Sequence, residues 1–498
     1  MSAVADETEP MKNLAAWALD LAALRGAAYC DVRIVDERQR MLATTNGKVG
    51  HASTSESLGF GVRVIVDGAW GFAASEDLRR EPVEATCALA ISIARASATV
   101  KEQALRLAPE TAAVAEWTSA CQIDPFTTSV EENLGLLLRV DAELRSVPGI
   151  TLAESSMLFR RYEQWFFSSQ GAAIHQTRFT TGAGYSAYAF AAGEIQKRSY
   201  PNSFGGQYQN AGYELVHSLR LVENARRIAE EAVALHRAAQ CPQGNTSLVL
   251  DSSQLGLQIH ESIGHPIELD RVLGTEANFA GTSFLTIDKL RNLRYGSQLV
   301  NVVADATEAH GPGLGTFAYD DEGVPAQCTP VITAGEFTGY LSSRETAHTI
   351  GERQSSGSMR AEGWNRLPLI RMTNVSILPS PSPLGWDDLL AGADDGIYMQ
   401  TNRSWSIDDK RFNFQFGCEI AWEIKGGKLG RMLKNPSYSG ITTEFWNSME
   451  AICSRDHWTL WGVPHCGKGQ PMQTMGTGHG ASPARFRNVK VGSAYQGS

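Results

Sequence analysis

The sequence predicts an α+β protein in two parts: an N-terminal α/β domain of helices and antiparallel meanders over residues 1–243, and a C-terminal, mostly antiparallel β domain over residues 244–498. Three observations carry this. In the first half, short β-prone runs closed by Asn46-Gly47 and Asp67-Gly68 stand beside segments of helical period. In the second half helical periodicity thins, and strand pairs closed by glycine turns take over, as in "PVITAGEFTGYL" and "CEIAWEIKGGKLG". Between the halves "QCPQGN" places Pro242 and Gly244 together, the strongest boundary signal in the chain.

Taken in order, Leu14, Trp17, Leu21 and Leu24 recur at helical spacing and predict an amphipathic first helix. The run "DVRIVDERQRMLATTNGKVGHASTSESLGFGVRVIVDGAWGFAAS" then reads as an antiparallel meander. Helices are predicted at about 83–98 and at 131–146, where Leu134, Leu137, Leu138 and Leu144 share a face, followed by a β-rich block at 151–194. "TTNG" at 44–47 and "SSQG" at 168–171 echo each other, too weakly to make a repeat. One long amphipathic pattern spans about 213–239. After the boundary, "SLVLD" is a candidate strand, and Asp251, Ser252 or Ser253 caps the helix that follows.

Of 498 residues, 43% are hydrophobic and 20% charged, the balance of a globular protein with a substantial core. The net charge of -10 speaks against nucleic acid as a main partner. No apolar run reaches the ~18 residues that span a bilayer, so no membrane role is expected. The acidic start lacks the basic region and apolar core of a signal peptide, and the eight cysteines are scattered. A cytoplasmic protein with reduced thiols is the expectation.

The chemistry concentrates in "HESIGHP". Leu255, Ile259 and Ile263 form an apolar stripe at i, i+4 spacing, so the motif lies on a helix facing the core, with Gly256 and Gly264 leaving room around His260. In HExxH the two histidines stand about 40° apart around the axis; at i, i+5 they are roughly 140° apart on a regular helix and cannot share an ion. Pro266 offers one remedy, because it disfavours helical backbone at His265; a π-bulge offers another by adding a residue to the turn. If both imidazoles bind a metal, Glu261 is placed to accept a proton from metal-bound water. By spacing alone the two histidines are equally two unrelated polar residues at a helix end, and a catalytic zinc normally takes a third protein ligand.

"HESIGHPIELD", "YDDEGVPAQ", "RMTN" at 371–374, "CGKGQ" at 466–470 and the N-terminal "GFGVRVIVDGAWGFAAS" occur here in one order. Together they resemble the TldD subunit of the TldD/PmbA family, once called modulators of DNA gyrase. The resemblance implies a two-domain zinc metallopeptidase in which His260, His265 and a C-terminal cysteine bind the metal and Glu261 is the general base. The cysteine would be Cys466, with Cys453 as runner-up. Gly467 and Gly469 permit a sharp turn beside Cys466, and Lys468 would favour its thiolate; the bland alternative is an incidental thiol in a flexible loop. The family also implies a PmbA/TldE-type partner lacking the metal motif, or else a homodimer, and a peptide or unfolded-protein substrate. The alternative function is a noncatalytic subunit organised by its metal. Imidazole and thiolate also suit other divalent ions, iron among them. The "YDDEG" run could supply oxygen ligands or bind a substrate amine, with an acidic turn before a strand as the simpler reading; His310, His348 and His457 are lone histidines, more often structural or solvent-facing; Arg371 and Asn374 could hold a peptide backbone or carboxylate and are equally plausible as domain glue.

Overall fold

In the computed structural model, which describes residues 4–493, the first half forms an eight-stranded sheet with helices packed on it. The first three residues of the acidic start and the last five residues lie outside the described residues. Two long hairpins make the sheet: β1 (Tyr29–Thr45) with β2 (Lys48–Val66), and β3 (Ile150–Ser168) with β4 (Ala173–Ala191). Strands β1 and β3 pair antiparallel at the centre. Asn46 and Gly47 (φ 49° and 76°) close the first hairpin, and Asp67 and Gly68 (φ 50° and 72°) the next turn. Both turns need positive φ at each central residue, which Asn-Gly and Asp-Gly accept at low cost.

Helices α1 (Val4–Leu24) and α2 (Arg80–Ala98) cover one end of these strands, and α3 (Val130–Arg145) with α4 (Leu221–Ala234) covers the other. Two expectations change here. In α1 the buried stripe is Leu14, Ala15, Ala18 and Ala22, while Leu24 is 84% exposed. Small residues win that face because the helix lies close against its neighbours, and a leucine stripe would hold it away. The pattern at 213–239 is two helices, Glu214–Leu219 and α4, broken where Arg220 adopts φ 49°.

The second half holds an eight-stranded and a six-stranded sheet around a shared core, and most strand pairs are antiparallel. The strand Ala239–Gln240 already joins this half, beside Lys428–Lys434. Strand β5 (Gly244–Leu250) leads into helix α5 (Ser252–Ile259), whose Leu255 and Ile259, with Ile263 beyond, are fully buried between the sheets. The sheet neighbours that matter for the site are β6 (Asn374–Ile377), β7 (Gly396–Ile407), β8 (Asn413–Lys425), β9 (Thr459–Lys468), β10 (Gln473–Ala481) and β11 (Ala484–Ser493). Strands β9 and β10 pair antiparallel, with a bulge between Val463 and Cys466, and β11 pairs with β5.

Buried ion pairs tie the halves together. Arg63 of β2 sits between Asp31 (2.7 Å) and Glu322 (3.2 Å), and Arg33 of β1 meets Asp321 at 2.9 Å. The acidic run of "YDDEG" is therefore neither a surface turn nor a ligand set but the seam between the halves.

Candidate metal centre

Asp251 starts the helix by accepting from the backbone N–H groups of Ser253 and Gln254. Regular helix stops at Ile259, and His260–Gly264 forms a π turn in which the His265 N–H reaches the His260 carbonyl at 3.1 Å. The extra residue in that turn brings the second histidine back to the side of the first: the ring centroids are 4.8 Å apart and the planes 86° apart. Pro266 cannot donate to the Ser262 carbonyl as the next helical residue would; the Tyr295 hydroxyl donates to it instead.

Gly264 faces Met372, and a Cβ there would lie 2.1 Å from its Sδ. Gly264→Ala should therefore destabilise the fold by about 1–3 kcal/mol through overpacking, and displace His265 with it. Thermal unfolding together with divalent-metal content checks this; a variant unchanged in both would contradict it.

The hydrogen-bond partners settle which ring nitrogens face the site. The Val375 carbonyl can only accept, so His479 Nδ1, 3.0 Å away, carries a proton. Burial, reinforced by His260, holds His479 well below the usual imidazole range, so its Nε2 is a bare acceptor for His260 Nδ1–H at 2.7 Å. That leaves a lone pair on His260 Nε2. His265 is fixed the same way: its Nδ1–H donates to Glu268 at 3.1 Å, leaving the Nε2 lone pair toward Cys466 Sγ at 3.8 Å. Glu268 is fully buried, with Lys468 at 3.5 Å and Arg271 at 3.6 Å.

Cys466 sits on β9 just past the bulge at Pro464-His465, not in a flexible loop. Burial opposes charge on its sulfur, but the opposing influences, led by the Arg371 guanidinium, lower the thiol below its ordinary value. The Lys468 ammonium donates to Asp270 (2.7 Å) and to the Ile370 carbonyl (2.6 Å), and Arg371 supplies the positive charge that acts on the sulfur. Cys453 is remote, in a separate apolar cluster against the Gly385 carbonyl, its thiol pushed up to about 11 by burial.

Ligating atoms of His260, His265 and Cys466 all lie within 4.8 Å of one another. Two neutral imidazoles and a thiol of lowered pKa form a donor set for a borderline-soft divalent ion such as zinc. Asp305, His310 and Cys328 also cluster, but Cys328 is exposed and its thiol is pushed up to about 11 by its partial burial and by Asp305. His348 is exposed on a short 3-10 turn and His457 is half-buried, both away from the first cluster.

Glu261 lines the same cavity of about 360 Å³ as His260, His265 and Cys466, with Phe204, Leu257 and Trp405 on its apolar side. Its Oε2 accepts from Arg411, at the tip of the β7–β8 hairpin. Sequence reasoning missed His479, Glu268 and Arg411. Glu268 had a signal, a carboxylate three residues after His265; His479, between Gly478 and Gly480, had only the small neighbours that let other groups approach; Arg411 had none. Of the "RMTN" residues, Arg371 bonds the Cys466 and Gln473 carbonyls besides lending its charge to the thiol, and Asn374 bonds Gly315, Asp305 and Thr316.

Family models match nearly the whole chain: "PmbA/TldA metallopeptidase domain 1" over residues 30–94, the "central domain" over 123–239 and the "C-terminal domain" over 243–493. A metalloprotease of Methanocaldococcus jannaschii is 28% identical over 455 residues, covering 91% of this chain and 95% of that protein. A zinc metalloprotease TldD homolog of Saccharolobus solfataricus is 26% identical over 249 residues, 50% of this chain and 52% of that one. The crystal structure of TldE from Thermococcus kodakarensis superposes with a TM-score of 0.70 at 14% identity, covering 97% of this chain and all of that one, a likeness of fold. Among the described residues no helix is long and apolar enough to cross a membrane.

Proposed function

This chain belongs to the PmbA/TldD metallopeptidase family, and from that premise we propose that it is a zinc-dependent peptidase acting on peptides or unfolded protein segments. In this reading residues 1–243 and 244–498 are its two units, His260, His265 and Cys466 hold the metal, and Glu261 is the general base. The observation that carries it is the π turn that aims two Nε2 lone pairs toward one lowered-pKa thiol.

When bound, zinc would supply Lewis acidity, polarising the scissile carbonyl and bringing the pKa of water at the site toward about 7. The protein's own groups do the remainder. His479 and Glu268 hold the two imidazoles in the tautomer that exposes Nε2. Arg411 grips Oε2 of Glu261, while Oε1 has no protein partner among the described residues and is the atom that takes the proton and later delivers it to the leaving amine. Leu257, Phe204 and Trp405 keep the cavity wall apolar, suited to a substrate side chain and to excluding bulk water. An extended peptide would add as a strand, with backbone bonds giving affinity and side-chain pockets giving choice.

The test is metal content by mass spectrometry for the wild type, His260→Ala and Cys466→Ser, with hydrolysis of unstructured peptides assayed on the same samples. About one zinc per chain, lost in both variants together with activity, is the expected result. A well-folded wild type without metal would sink the reading, and zinc retained in Cys466→Ser would move the third ligand elsewhere. A PmbA/TldE-type chain is the proposed partner, with a homodimer as the alternative, so the assay is run with and without such a chain. One observation favours a second reading, a noncatalytic subunit organised by its metal: the Arg411 ion pair already engages Glu261.

A further inference from the structure

Beside the metal centre lies a second cavity, of about 430 Å³, and the bulge residues Pro464 and His465 line both. Its wall draws on both halves of the chain and brings together hydrogen-bond donors that lack acceptors. Tyr162 is 3% exposed, and its hydroxyl has no partner among the described residues. Arg360 is 5% exposed; its terminal nitrogens reach the carbonyls of Gly476, Leu314 and Met372, but Nε has no partner. Arg178 lies over the Tyr162 ring, 4.5 Å from its centroid, with no carboxylate at ion-pair distance among the described residues.

Charge in the wall is uneven. It holds three arginines and two glutamates, and Glu37 is already paired with Arg160 at 2.6 Å. Burial lowers Arg360 to about 9, with Arg371 and Arg178 adding to the effect and Asp321 and Cys466 opposing it. Burial raises the Tyr162 phenol, which therefore stays a donor. Unmet buried donors beside excess positive charge are costly unless a guest brings acceptor oxygens and a negative charge, and a carboxylate brings both.

We propose that this cavity is a substrate subsite for a carboxylate, carried either by the C-terminus of the peptide or by an acidic side chain. The inference rests on the peptidase reading of the adjoining centre, and its test separates the two. The probes are a short uncharged peptide as its C-terminal amide, the same peptide as the free acid, and amides with Glu placed at each position in turn. Binding is measured on the full-length Glu261→Gln protein, with and without zinc.

A carboxylate-bearing peptide should bind about ten-fold more tightly than the neutral amide, the scale of a charge-assisted pair. That gap should close to under about two-fold in a further Arg178→Gln variant and narrow in Tyr162→Phe, which keeps the ring. Arg360 is left intact because its backbone bonds hold the wall together. A gap confined to the free acid assigns the chain terminus; one seen only with Glu assigns the side chain. Equal binding of all probes to the folded protein overturns the subsite, whether or not the wild type cleaves them. Acid preference without hydrolysis of any probe by the zinc-loaded wild type leaves the subsite standing and removes the peptidase reading.

Discussion

Replacing Glu261 by Gln is expected to lower peptide hydrolysis by about a hundred- to ten-thousand-fold, the usual worth of a positioned general base, while metal content stays at the wild-type level. The substitution keeps the shape of the side chain and a carbonyl oxygen that can still accept from Arg411, so the cavity wall should persist. Removed is the carboxylate that takes the proton in the proposed mechanism. Parallel metal analysis and turnover on one unstructured peptide decide the matter. Full activity in a metal-loaded variant would transfer the catalytic role away from Glu261, and activity that also depends on the added partner chain would leave the noncatalytic reading in place.

The largest effect on stability is expected at the seam. Arg63 is 4% exposed and faces both Asp31 and Glu322. Arg63→Met leaves two buried carboxylates without their cation and should destabilise the protein by about 3–5 kcal/mol. Adding Asp31→Asn and Glu322→Gln to the same chain should recover more than half of that loss, because the cost lies in the stranded charges rather than in a missing contact. Chemical denaturation of the single and triple variants measures both. A loss below about 1 kcal/mol for Arg63→Met would mean that water reaches the seam.

Much of this was legible because it is local. Asn46-Gly47 and Asp67-Gly68 specify turns through their own backbone preferences, and Leu255, Ile259 and Ile263 mark a buried face whatever packs on it. The misfit of the i, i+5 histidines was visible too, since helix geometry alone makes it a problem, and the π turn is the answer the fold adopts. Other features depend on neighbours far along the chain. His479 meets His260 across 219 residues and Arg411 meets Glu261 across 150, and no local pattern announces either. The break at Arg220 was hidden for a different reason: the apolar period continues through it without a Gly or Pro to mark the change. Lys468 misled because, although i and i+2 share a face of a strand, its long side chain ends at Asp270 and the Ile370 carbonyl, partners nearly a hundred or more residues away that no local pattern announces.

The sequence separation of 201 between His265 and Cys466 has a consequence for the order in which the molecule comes into being. On the ribosome the helix with both histidines emerges long before the thiol, and β11, the antiparallel neighbour of the strand that leads into that helix, is made later still. A nascent chain halfway through synthesis thus carries "HESIGH" on an unfinished core, without the thiol that completes the proposed donor set. On the proposed reading, cleaving capacity would arrive only with the last strands, after most of the chain has been made.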